Sequence, residues 1–272
     1  QVELANAEKG AFEIHRRADQ GAVSIKNFRQ TSRRQHQLLL QAARARGITQ
    51  TGEGGPLYFD VGLALDGQTG WEHLIAPFPV YRDVVTFFGQ AGIQNPPTVI
   101  VAGHVNGAKT YYRPRAGLDR DAKFLRVFPR AALARMTAGE RVLPKSEFSF
   151  PFMAETAAEM MRAGAYSGLG EHGEQPGIGT HWEAWALAEA MTPLEVLTVG
   201  TMHGARFVGL ESEIGSIVPG KLADLIVLHG DPLADIRRTA DIAYVMKGGW
   251  LYDGATLATL WPVRASYLPP WN

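Results

Sequence analysis

Over residues 22–187, short apolar runs alternate with amphipathic stretches, the pattern of strands followed by the helices that cover them. Residues 22–25 follow Gly21 as a short strand. Residues 32–46 repeat apolar positions at helical spacing, with Gly47 as the stop. Residues 48–51 read as the next strand, 57–65 as a short helix before Gly67, and 69–72 as a strand ending at His73. Residues 80–90 are amphipathic, with Val84, Phe87 and Phe88 on one side, and 97–102 read as a buried strand. The segment 103–146 is arginine-rich and without clear periodicity, as in an insertion, a lid or a loop. A helix over 150–162 closes at Gly164, a fifth strand covers 165–168, and a glycine-rich loop over 169–180 leads into a helix at Trp182.

The strongest local signals lie further on. Thr192-Pro-Leu-Glu195 carries an N-cap, a proline at the first helical position and a capping-box glutamate. Gly215-Ser-Ile-Val-Pro-Gly-Lys-Leu-Ala-Asp-Leu-Ile-Val-Leu228 then reads as a turn at Pro219-Gly220 feeding a strand fit for burial over 225–228. The block 192–252 resembles the end of metal-dependent amidohydrolases of the imidazolonepropionase and prolidase type. Val23-Ser-Ile-Lys-Asn27 with Arg33-Arg34, Asp66-Gly-Gln-Thr-Gly-Trp-Glu-His73, and Gly170-Glu-His-Gly-Glu-Gln-Pro-Gly-Ile-Gly-Thr-His-Trp-Glu183 are similar to that family's fourth strand, sixth strand and eighth-strand loop. The resemblance implies an α/β fold: a partial (β/α) TIM-type barrel, strands four to eight, over 1–208. A C-terminal remnant of a small β-sandwich would follow over 209–272. Five strand–helix units are too few for a whole barrel. Together with a first residue that is Gln rather than Met, this gives the expectation of a C-terminal part of a larger enzyme.

Composition narrows the partners. Hydrophobic residues make up 46% and charged residues 20%, enough for a substantial core. With 27 basic and 27 acidic residues the formal charge is zero, and no basic stripe points to nucleic acid or an anionic membrane. No apolar run reaches membrane-spanning length. Cysteine is absent, which removes disulfides and thiolate ligands. Open barrel edges would call for self-association, so a homo-oligomer with a small-molecule substrate is expected.

In a barrel, chemistry gathers at the C-terminal ends of the strands, where Lys26, Glu53, His73 and His172 fall. The resemblance implies that Lys26, often carboxylated in the family, joins Glu53 and His73 as metal ligands. Glu171-His172, His181 and Glu183 stand where relatives carry an aspartate that serves as ligand and base. The family's H-x-H pair does not occur in this sequence. A single zinc or similar divalent ion on Glu53, His73 and His172 therefore replaces a dinuclear site as the expectation, two imidazoles and a carboxylate being suitable zinc donors. The catalytic candidates are Lys26, His172, His181 and Glu183. Each also has a plain reading: an ion-paired lysine, a polar loop residue, or a histidine satisfied by backbone. His104 is a candidate for the substrate side. His15, His36, His203 and His229 read as packing or surface residues, and Arg113, Arg115, Arg120 and Arg126 as a solvated loop or, if a lid, a carboxylate clamp.

Three functions follow as expectations. One is a metal-dependent hydrolase of amide, cyclic amide or ester bonds, in which a metal-bound water attacks a polarised carbonyl. The second is a metal-free enzyme using Lys26 as an amine nucleophile through a Schiff base. The third is a catalytically impaired binding or assembly module.

Overall fold

A computed structural model describes residues 6–28, 32–74, 80–103, 106–138 and 141–268. Five parallel strands form one sheet in sequential order: β1 (Ser24–Asn27), β2 (Thr49–Glu53), β3 (Gly70–Glu72), β4 (Gln94–Asn95) and β5 (Tyr166–Ser167). Parallel neighbours need crossovers, and helices supply them. These are α2 (Arg33–Ala45), α3 (Leu57–Asp66), α4 (Arg82–Gln90) and α8 (Phe150–Arg162), with α1 (Ala7–Asp19) packed on α2. Ser32 caps α2 by a capping box with Gln35, so that helix begins where its sequence says it should.

Register places the chemistry. Lys26 lies opposite Thr51, Asn27 opposite Gly52, and Glu53 opposite Glu72, so the ends of β1, β2 and β3 share one rim. Beneath that rim one apolar cluster joins Leu63, Trp71, Phe88 and Met160 from α3, β3, α4 and α8. Gly89 allows α4 and α8 to meet, because a Cβ there would stand 2.5 Å from the Cβ of Ala163. A second cluster gathers Val99, Ile100, Phe150, Trp182 and Leu187 around α8 and α9 (Gly179–Leu187).

Two expectations change between residues 97 and 146. Residues 97–102 are not a strand: β4 ends at Asn95, and the chain turns with Val101 and Ala102 N–H both donating to Thr98 O. Pro96 and Pro97 lack N–H donors, which ends the ladder there. Among its described residues the segment 103–146 carries three α-helices: α5 (Ala108–Ala116), α6 (Ala122–Val127) and α7 (Arg130–Thr137). Pro114 within α5 and the brevity of α6 blur their periodicity.

After α10 (Pro193–Thr198) and α11 (Gly204–Phe207), four antiparallel strands form a second sheet in meander order: β6 (Leu225–Leu228), β7 (Ile242–Lys247), β8 (Trp250–Asp253) and β9 (Thr259–Trp261). β6 is less buried than its composition led us to expect: Ile226 is 53% and Val227 49% exposed. No helix among the described residues is long and apolar enough to cross a membrane.

Candidate active site

Four of the residues singled out by sequence meet at the rim. Lys26 Nζ is 2.8 Å from Glu53 Oε1, and the other oxygen, Oε2, is 3.3 Å from His73 Nε2. The His73 and His172 rings lie with centroids 5.1 Å apart. Glu53 is the last residue of β2 and is buried, while Lys26 and His172 reach solvent. The rim thus holds one buried carboxylate between a cation and an imidazole, with a second imidazole at its open side.

Backbone conformation sets the two histidines. His73 (φ 68°), Thr98 (φ 48°) and His172 (φ 64°) all adopt the left-handed region without being glycine, which costs about 1–3 kcal/mol each and marks functional segments. His73 is fixed from two directions. Its Nδ1 shares a hydrogen bond with Thr98 Oγ1, and its carbonyl accepts from Asn95 Nδ2, which also donates to Trp71 O at 3.0 Å. Burial pulls the His73 pKa below the ordinary histidine value, helped by His172 and Lys26 and opposed by Glu53. A neutral ring with Nδ1 occupied leaves Nε2 toward Glu53, the disposition of a ligating histidine with a partner on its other nitrogen.

His172 sits in the loop after β5, with Nδ1 3.5 Å from Glu174 Oε1. Glu174 is itself paired with Lys109 of α5, and this pairing first of all holds its carboxyl below the usual range. Arg113 Nε donates to Gln175 Oε1 at 3.0 Å, so α5 grips the same loop twice. Glu171 accepts from Gly173 N and Gln175 N at 2.8 and 2.6 Å and shapes the loop from within.

The other two catalytic candidates lie elsewhere. Glu183 is fully buried in α9, and its oxygens accept from Val99 N at 3.0 Å and Ile100 N at 2.8 Å. Burial pushes its pKa up to about 8 against the pull of those N–H groups. It does not face the rim group, because its acceptors are spent on the 98–100 turn. His181, two residues earlier and so on the other side of the helix, lines a cleft of about 420 Å³ with Lys123, Phe124, Ile178 and Val245, between α6 and the antiparallel sheet. Burial lowers its pKa, with Lys123 adding to the effect.

His36 is buried against Phe59, with Nδ1 bonded to Asn27 Nδ2 at 3.0 Å, and His203 packs edge-on to Tyr166. Both match the packing reading. Arg115 stacks on Tyr111 and donates to the Leu143 carbonyl, and with Arg113 it ties the segment together rather than forming a clamp. His104 lies outside the described residues. Thr98, Lys109 and Glu174 escaped the sequence reading. Only Glu174, two residues after His172, carried a local hint.

Among the described residues, no three His, Asp or Glu side chains already surround one point at ligating distance. Glu53 and His73 form a fitting pair of donors, and His172 stands beside them with its Nδ1 turned to Glu174.

Residues 125–252 match the amidohydrolase family. That span includes His172, β6, β7 and most of β8 but not β9, Lys26, Glu53 or His73. The chain is 43% identical to an imidazolonepropionase of Pseudomonas aeruginosa over 58 residues, 21% of this chain and 13% of the relative. It is 29% identical to a 5-methylthioadenosine/S-adenosylhomocysteine deaminase of Moorella thermoacetica over 135 residues, 43% of this chain and 31% of the relative. Its fold is similar to that of a Xaa-Pro dipeptidase crystallised with methionine in the active site. The TM-score is 0.62 at 19% identity, covering 92% of this chain and 59% of the dipeptidase. The chain therefore spans well under two thirds of these relatives.

Proposed function

We propose that the chain supplies the catalytic rim of a hydrolase acting on amide, cyclic amide or ester bonds. The observation that carries this reading is the convergence of Lys26, Glu53 and His73 at the ends of three consecutive parallel strands, with His172 beside them from the loop after β5. The match to the amidohydrolase family supports it, as do relatives named as imidazolonepropionase and deaminase. In this reading residues 1–208 are the part-barrel and 209–272 belong to the smaller β-domain.

Glu53 and His73 would hold a divalent metal ion, zinc by the character of the donors, with His172 as the third group. Bound there, the ion would supply a nucleophilic water near neutral pH and polarise the substrate carbonyl. Lys26 holds the buried Glu53 carboxylate in place by their 2.8 Å contact. Thr98 holds the His73 ring by Nδ1 and leaves Nε2 for the site. His172, exposed at the mouth, would be oriented for that third position by Glu174 on its Nδ1. The contact of Lys26 with Glu53 disfavours the amine-nucleophile reading, since it engages the amine that would have to attack a carbonyl.

Purified chain supplied with zinc or manganese should hydrolyse p-nitrophenyl acetate or an Xaa-Pro dipeptide, and Glu53→Ala and His73→Ala should abolish that turnover. Equal rates in the wild type and both variants would defeat the proposal.

A further inference from the structure

A carboxylate with no solvent exposure is unusual, and Glu183 has a specific task. Val99 and Ile100 are completely buried, and with β4 finished at Asn95 their N–H groups have no strand to pair with. Left alone, each buried donor would cost about 1–3 kcal/mol. Both donate instead to Glu183, one to each oxygen, at 3.0 and 2.8 Å. Two successive N–H groups thus converge on one carboxyl group, an arrangement like that of backbone nests.

The residue that opens this turn is Thr98, β-branched and left-handed at φ 48°. Such a conformation persists only where the surroundings enforce it. Two groups do so here: the Glu183 carboxylate behind the turn, and the Nδ1 of His73 in front of it. Gly170 closes the third side, since a Cβ there would lie 2.3 Å from Thr98 Cγ2.

We propose that Glu183 is a positioning residue for His73: from α9 its carboxylate fixes the 98–100 turn, and the Thr98 hydroxyl carried by that turn fixes the imidazole against Glu53. The path runs Glu183, backbone of Val99 and Ile100, Thr98 Oγ1, His73 Nδ1, with His73 Nε2 toward Glu53 at its end. Its catalytic meaning rests on the hydrolase reading above, but the mechanical link does not.

The test uses the chain labelled with ¹⁵N and compares wild type, Glu183→Gln, Glu183→Asp and Thr98→Val. Glu183→Gln replaces one acceptor by a donor facing two donors. Exchange of the Val99 and Ile100 amides should then accelerate at least about tenfold. The His73 ring-nitrogen signals should move in the same direction as in Thr98→Val, and Glu183→Asp should restore them in part. Adding Thr98→Val to Glu183→Gln should change the His73 signals little further, because both act on one path. On p-nitrophenyl acetate, kcat should fall about 10- to 100-fold with KM within about twofold, as for loss of a supporting hydrogen bond.

A folded Glu183→Gln chain with unchanged His73 signals would overturn the proposal. If Glu183→Gln does not fold, Thr98→Val decides: His73 signals identical to wild type would overturn it equally. An inactive wild type that still shows both spectral effects would count against the hydrolase reading alone and leave the link standing.

Discussion

Lys26 and Glu53 meet 2.8 Å apart at the ends of adjacent strands, one exposed and the other buried. The pair is partly screened by water, so its worth to the fold is small. Lys26→Met should cost under about 1 kcal/mol in urea unfolding. Its effect on hydrolysis should be far larger, a loss of at least about tenfold, because the carboxylate loses the cation that aligns it. Proportionate losses of stability and activity would argue that the pair merely props up the sheet.

Metal should stabilise the chain through the same rim. At a concentration about 100 times Kd, a site specific to the folded state adds about 2.7 kcal/mol. Thermal unfolding with added zinc should therefore shift upward in the wild type and not in Glu53→Ala or His73→Ala. An equal shift in all three would place binding elsewhere.

Asp60 gives a pH dependence separate from the rim. It is fully buried and accepts from Gly55 N at 2.9 Å and Trp71 Nε1 at 3.1 Å through one oxygen, while Oδ2 has no partner. Burial pushes its pKa from 3.8 up to about 6. Below 3.8 both folded and unfolded chains hold the proton and there is no penalty. Between 3.8 and about 6 the unfolded chain ionises first, so stability falls as pH rises, and above about 6 the penalty is complete. Its upper limit is roughly 3 kcal/mol. Asp60→Asn should flatten that part of the stability profile, measured by urea unfolding from about pH 4 to 7.5. A parallel profile in the variant would mean that Asp60 ionises normally.

The antiparallel sheet should drive self-association. Register puts Val227, Tyr244 and Trp261 on one face, and they are 49%, 41% and 58% exposed. Exposed apolar side chains on a sheet face favour association. Sedimentation velocity should show a species larger than the monomer, shifted toward monomer by Tyr244→Lys with Trp261→Glu. A strictly monomeric wild-type profile would contradict this expectation.

Much of this architecture was legible because its signals are local. Helical spacing over 32–46 with its stop at Gly47 marked one helix, the capping box at Thr192 and Glu195 another, and the 150–162 helix kept its predicted bounds. Lys26, Glu53, His73 and His172 could be drawn together because strand ends of a parallel sheet share a rim. What stayed hidden depends on distant partners. The 97–102 segment has the composition of a strand, yet its donors go to Glu183, more than eighty residues away. Glu183 and His181 stood beside one another in a suggestive motif, but helical geometry sends one into the core and the other into a separate cleft.

The left-handed trio of His73, Thr98 and His172 has one more implication. A chain optimised for persistence alone would place glycine at these three positions, where the backbone geometry suits it at no steric penalty. Glycine would also erase both imidazoles and the hydroxyl between them. Thermostabilisation by relaxing strained backbone should therefore spare this rim, since here the torsional discomfort and the useful side chains occupy the same residues.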